Sequence, residues 1–124
     1  MNKDMLMIDG LQYVNWNRGL FEQAQRAGLH AIHVTIAYWE NSRETLENIG
    51  HWNRHFLDHG DLIMPVHQAA DILEAKRLGK VGIIFGFQNC SPMEDDVKMV
   101  QILQQLGVRI MQLSYNNQSL LATG

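Results

Sequence analysis

The sequence predicts an α/β protein with a parallel sheet, built as the first half of a (β/α)8 barrel. Three observations carry that expectation. Short apolar runs rich in β-branched residues alternate with helical stripes along all 124 residues, with short links between them, which favours parallel strands joined by crossover helices. No G-x-G-x-x-G follows any of these runs, so a dinucleotide-binding fold has no support. The last strand-like run is followed by SYNNQSLLATG and not by a helix, and a complete barrel takes about 250 residues.

Taken in order, MLMID (5–9) reads as the first strand, and residues 18–27 as a helix stopped by Gly28. LHAIHVTI (29–36) is the second strand. Asn41 and Glu44 stand in the reciprocal spacing of a capping box, and Leu46, Ile49, Asn53, Phe56 and Leu57 give a helical stripe ending near Gly60. LIMPV (62–66) contains Pro65, which has no N–H for a ladder and belongs at an edge or outside the main sheet. A helix over 68–78 stops at Gly79, and VGIIFGF (81–87) is the third main strand. Ser91, Pro92 and Glu94 occupy N-cap, N1 and N3 positions and predict the clearest helix start in the chain. That helix carries Val97, Val100, Leu103 and Leu106 and ends at Gly107, before VRIMQL (108–113), the fourth main strand. Residues 1–124 thus read as a single partial domain, a half-barrel ending in the loop after the fourth strand.

Composition narrows the class. Hydrophobic residues make up 46% and charged residues 19%, with a formal net charge of −3. This is an ordinary globular balance with no basic footprint for nucleic acid or anionic membrane. The single cysteine, Cys90, excludes an internal disulfide and suits a reducing compartment. The opening MNKDMLMIDG has too short an apolar run for a signal segment, and no run approaches a membrane span. The expected location is cytoplasmic.

Chemistry is sought at the strand ends, where barrel active sites lie. Strand residues alternate faces, so Gly82, Ile84, Gly86 and Gln88 share one, and Gln88 points inward at the C-terminal end beside Asn89. His51, His55 and His59 recur at four-residue spacing and edge a solvated helix face. The segment HWNRH lacks the glutamate that a zincin motif places beside its first histidine. His30 and His33 fall on opposite faces of the second strand, and a packed or hydrogen-bonded role suits them better than catalysis. Cys90 lies near the corner with no histidine beside it in sequence. Asp9 and Glu40 are weaker candidates at strand ends, and Glu94 is explained by capping.

Together IDG at the end of the first strand, GKVGIIFGFQN and LGVRIMQLSYNN resemble the membrane (renal) dipeptidase family of zinc metallopeptidases, over the whole chain and over the N-terminal half of a family member. The resemblance implies a (β/α)8 barrel of the amidohydrolase type and a hydrolase that cleaves dipeptides or small amides with metal-activated water. It also implies zinc ligands from a His-x-Asp after the first strand, a bridging Glu at the end of the third main strand, and a substrate-binding His at the end of the fourth. On those positions this chain has Leu11, Tyr13, Gln88 and Tyr115. No closed zinc site and no catalytic residue is therefore expected within this chain. The substrate-pocket candidates are Gln12, Tyr13, Gln88, Asn89, Tyr115 and Asn116. The runner-up reading is a non-catalytic barrel or half-barrel that binds a small amide ligand. Open edges imply a dimer or a C-terminal half-barrel partner, with no nucleic acid or membrane among the partners.

Overall fold

A computed structural model describes residues 4–123. Its elements run β1 (Ile8–Gln12), α1 (Arg18–Arg26), β2 (Ala31–Ala37), α2 (Ser42–Asp58), β3 (Ile63–Pro65), α3 (Ala69–Leu78) and β4 (Val81–Phe87). A 3-10 turn (Ser91–Met93), α4 (Met99–Gln105) and β5 (Val108–Met111) follow. This is the expected α/β alternation, and β1 with β2, β3 with β4 and β4 with β5 all pair in parallel. The chain divides into two compact units, residues 1–34 with 55–84 and residues 35–54 with 85–124.

In the first unit the strand order is β1-β2-β4-β3. Pro65 lies in β3, an edge strand of three residues, where its missing N–H costs nothing. Helix α1 starts at Asn17, whose Oδ1 accepts the Leu20 N–H at 3.1 Å. It buries Phe21 completely, with Trp16 stacked on one side and His55 edge-on. Burying such a ring contributes about 1.5–3 kcal/mol. Gly82 is required by crowding, since a Cβ there would stand 2.6 Å from Val66 Cγ2 and 3.3 Å from the His30 carbonyl oxygen. Gly79 closes α3 in the left-handed conformation, as its position after the apolar stripe predicts.

In the second unit the end of β4 lies between β2 and β5. The Gln88 N–H donates to the Ala37 carbonyl at 3.0 Å, and Phe85 to Phe87 pair with Val108 to Met111. Ile36, Ile49, Phe87, Leu103 and Val108 are buried here, and Trp52 packs its ring 6.0 Å from that of Phe85. The Asn41/Glu44 capping box forms reciprocally: the Glu44 N–H donates to Asn41 Oδ1 at 3.0 Å and the Asn41 N–H to Glu44 Oε1 at 3.4 Å.

Several boundaries and faces differ from expectation. The first strand is 8–12 and not 5–9, because pairing to β2 extends through Gln12 opposite Val34 across a bulge. Residue Met7 instead meets His30, exchanging a bond with its backbone and giving its own N–H to Nδ1. The second strand is 31–37 rather than 29–36, and the last ends at Met111. On α2 the buried residues are Thr45, Ile49 and Trp52, while Leu46 and Leu57 are exposed. The Ser91–Pro92–Glu94 helix start is overturned. The Ser91 hydroxyl donates to the Glu40 carbonyl instead of capping, and Glu94 adopts φ 53°, which ends the turn. Helix α4 begins only at Met99.

Candidate functional site

In the second unit, alternation along β4 sets Phe85 and Phe87 against the helical layer, as the Phe85 contact with Trp52 requires. Gln88 therefore faces the opposite side. It is 7% exposed, and its Nε2 donates to the Thr35 hydroxyl oxygen at 2.8 Å. Asn89 is equally buried, and its Oδ1 has no hydrogen-bond partner among the described residues. Tyr115 joins Tyr38 and Trp39 in a cluster of near-perpendicular rings, with centroids 4.7 Å and 6.1 Å away. Asn116 is exposed. Glu40, read from the sequence as a weak candidate, folds its Oε2 back to accept the Tyr38 and Trp39 N–H groups at 2.6 and 2.9 Å. The carboxylate fixes the loop after β2 in this way.

Cys90 is not poised for attack. Its Sγ donates to the Gln112 carbonyl at 3.2 Å, and burial pushes the thiol up from its ordinary range, away from the thiolate.

In the first unit, Leu11 and Tyr13 lie on the surface, 41% and 65% exposed. Gln12 is half-buried, and its amide donates to Asp9, whose other oxygen accepts the Leu11 N–H at 3.2 Å. Gln12 also borders an apolar cleft of about 250 Å³ lined by Trp16, Leu20, Leu29 and Ile32. His33 donates from Nδ1 to the Gly10 carbonyl at 2.7 Å, and its buried Nε2 has no partner among the described residues. His55 and His59 do not merely edge a solvated face, because both rings pack on Phe21.

The donor chemistry does not fit the zinc site that the family resemblance implies. Leu11 has no lone pair, and the Gln88 amide is neutral and held by a hydroxyl. Among the described residues no three His, Cys, Asp or Glu side chains are grouped to hold a metal. Zinc sites use three or four such donors.

The structure groups Gln88 with Thr35, and Tyr115 with Tyr38 and Trp39. Thr35, Tyr38 and Trp39 were not legible as site residues. The available signals were a hydroxyl on the same strand face as His33 in an otherwise apolar run, and an aromatic pair directly after a strand end.

The model of the membrane dipeptidase family (peptidase family M19) matches residues 11–124. An amidohydrolase from Pseudomonas aeruginosa is 44% identical in solved structure. It covers 98% of this chain and 38% of its own length at a TM-score of 0.96. The probable dipeptidase PvdM from Pseudomonas aeruginosa is 16% identical, covering 91% of this chain and 35% of its own, with TM-score 0.79. A metallopeptidase described as dipeptidase AC is 14% identical, covering 90% and 43%, with TM-score 0.76. The chain thus spans well under half the length of these proteins, and the last two likenesses speak to fold alone. No curated protein matches.

Proposed function

The chain belongs to the membrane dipeptidase family, and from that premise we propose that it is part of a hydrolase acting on dipeptides or small amides. Its fold is the hydrolase fold of that family, a parallel α/β sheet of the partial (β/α)8 barrel type. The observation that carries the reading is the family match over residues 11–124, supported by 44% identity to an amidohydrolase. In this reading the second unit contributes substrate-pocket candidates Gln88, Asn89, Tyr115 and Asn116, and the first unit separately contributes Gln12 and Tyr13. Leu11, Tyr13 and Gln88 do not, in this reading, complete a zinc site within this chain.

A second reading, a non-catalytic barrel that binds a small amide, is favoured by one observation: the buried corner presents two neutral carboxamides. Exposed apolar side chains support coverage by a second copy of the chain or by a C-terminal half-barrel. They are Ile8 and Val14 in the first unit and Ile110 and Leu113 in the second. The unpaired Cys90 supports a cytoplasmic setting. Among the described residues no helix is long and apolar enough to cross a membrane.

The test is hydrolysis of a panel of dipeptides and N-acyl amides. It uses the purified chain and the product of its complete reading frame, each with and without added zinc. Turnover by either sustains the hydrolase. Saturable binding with no turnover by either transfers the case to the binding reading.

A further inference from the structure

Ser91, Pro92 and Glu94 carry the signature of a helix start, yet α4 begins only at Met99. Their polar groups are instead turned to the loop after β2. The Ser91 hydroxyl donates to the Glu40 carbonyl at 2.7 Å, and the Ser42 hydroxyl donates back to the Pro92 carbonyl at 2.7 Å. The two bonds run in opposite directions between the same two segments, across 51 and 50 residues of sequence. The Ser42 N–H also stands 3.5 Å from Glu94 Oε1. Among the described residues Glu94 alone, glycines apart, has a positive φ, at 53°. An L side chain keeps such a conformation only where its surroundings impose it.

Glu40 passes the constraint on. Its carbonyl receives the Ser91 hydroxyl, and its carboxylate accepts the N–H groups of Tyr38 and Trp39 at 2.6 and 2.9 Å. Those two residues carry the rings that pack on Tyr115. Trp39 is half exposed, so burial alone does not fix its ring. Neither serine bond belongs to a helix or a strand ladder, so no neighbouring rung replaces one that is lost.

We propose that Ser91 and Ser42 are positioning residues, which lock the loop after β2 to the turn after β4 and so set where the Tyr38 and Trp39 rings stand beside Tyr115. Tyr115 occupies the position where the hydrolase reading puts a substrate contact, and the loop's part in binding rests on that reading. The lock itself does not. Loss of the Ser91 hydroxyl frees Glu40, and with it the backbone of both aromatic residues, while β2 and β4 keep their own ladder bonds. Glu94 is then released towards an ordinary φ. Local opening of this kind lies below global unfolding in free energy.

The experiment uses the purified chain and follows the indole N–H signals in 15N NMR. Ser91→Ala should move and broaden the Trp39 signal and leave that of Trp52, which is 6% exposed and packed on Phe85. Ser42→Ala should act in the same direction. Ser91→Thr keeps a hydroxyl and should restore the original signal. Iodoacetamide should alkylate Cys90, the single cysteine and next to the lock, about five- to tenfold faster in Ser91→Ala, the factor that one lost hydrogen bond gives. An unmoved Trp39 signal or an unchanged Cys90 rate overturns the proposal. So does a Trp52 signal that moves as far as that of Trp39, which marks general loosening, or a Ser91→Thr protein that behaves like Ser91→Ala. Turnover is read separately, on the product of the complete reading frame. There Ser91→Ala should raise KM for a dipeptide about five- to tenfold and change kcat less than about twofold; an unchanged KM overturns the loop's part in binding. A moved Trp39 signal without turnover by the parent protein keeps the lock and loses the hydrolase reading, whereas turnover with an unmoved Trp39 signal does the reverse.

Discussion

At the end of β1 the chain exposes Leu11 and Tyr13, while at the end of β4 it buries Gln88 and Asn89 to 7% exposure. Both places hold positions where the family resemblance expects metal ligands, yet their physical situations are opposite. Near the end of β1 the one carboxylate, Asp9, is bonded by neighbours two and three residues away, Leu11 and Gln12. At β4 the bonds are long-range, from Gln88 to Thr35 and Ala37. A ligand lost from a surface leaves the fold indifferent. A ligand lost from the interior must be replaced by something that satisfies its neighbours without charge, and a glutamine on a threonine hydroxyl does that.

The largest expected effect comes from reversing the buried substitution. Gln88→Glu places a carboxyl where burial disfavours ionisation, so its folded pKa rises above the unfolded value of about 4.3. Below the unfolded pKa both states hold the proton and nothing is lost. Above it the unfolded state ionises first, and the deficit grows until the folded pKa is passed and then stays constant. A rise of about two units corresponds to about 2.7 kcal/mol at neutral pH. The Thr35 hydroxyl can turn to donate to the carboxylate and soften this. Urea midpoints at pH 4 and pH 7 check it: equal midpoints for the two proteins at both values would mean that Gln88 is solvated in solution.

A smaller effect tests the partner. Thr35→Val keeps shape and removes the oxygen that accepts the Gln88 amide, at a cost of about 1–2 kcal/mol that is independent of pH. Combining it with Gln88→Met should recover part of the loss, because the unpaired amide disappears with it. Additive losses in that double-mutant cycle would show that the 2.8 Å contact contributes no coupling.

The contrast between the two strand ends also marks what could be read from the sequence. The run 81–87 and the edge character given by Pro65 follow from local chemistry and match β4 and β3. So do the Asn41/Glu44 box and the glycine stop at Gly79. What fails is decided at long range. Residues 10–12 join β1 because β2 lies alongside, although MLMID is the more apolar run. Ser91 has the chemistry of an N-cap, but the Glu40 carbonyl, 51 residues away in sequence, takes its hydroxyl. Parity alone put Gln88 on the inner face. Its burial and its bond to Thr35 depended on which strand lay beside β4, and that adjacency skips β3 in the order of the chain. Tyr38 and Trp39 became site candidates only when Tyr115 was seen against them.

The smallest expected effect completes the comparison from the exposed side. Leu11→His with Tyr13→Asp restores the residue types that the family resemblance places after the first strand. Tyr13 is 65% exposed and Leu11 41%, so the change should alter stability by no more than about 1 kcal/mol. The neighbouring Asp9 carboxylate is already bonded by the Leu11 N–H and the Gln12 amide, so the pair adds two free donors, short of the three or four that a zinc site uses, and adding zinc should leave the denaturation midpoint unchanged. Each result reports on something different. A zinc-dependent rise would mean that further ligands stand close to the end of β1, and that the reading of this region is wrong. A loss of about 2 kcal/mol or more without zinc would mean that Leu11 and Tyr13 are buried in the protein's working form. A second copy or a C-terminal half-barrel would then lie across them. Light scattering on the same variant separates these coverings, since only a broken dimer halves the mass.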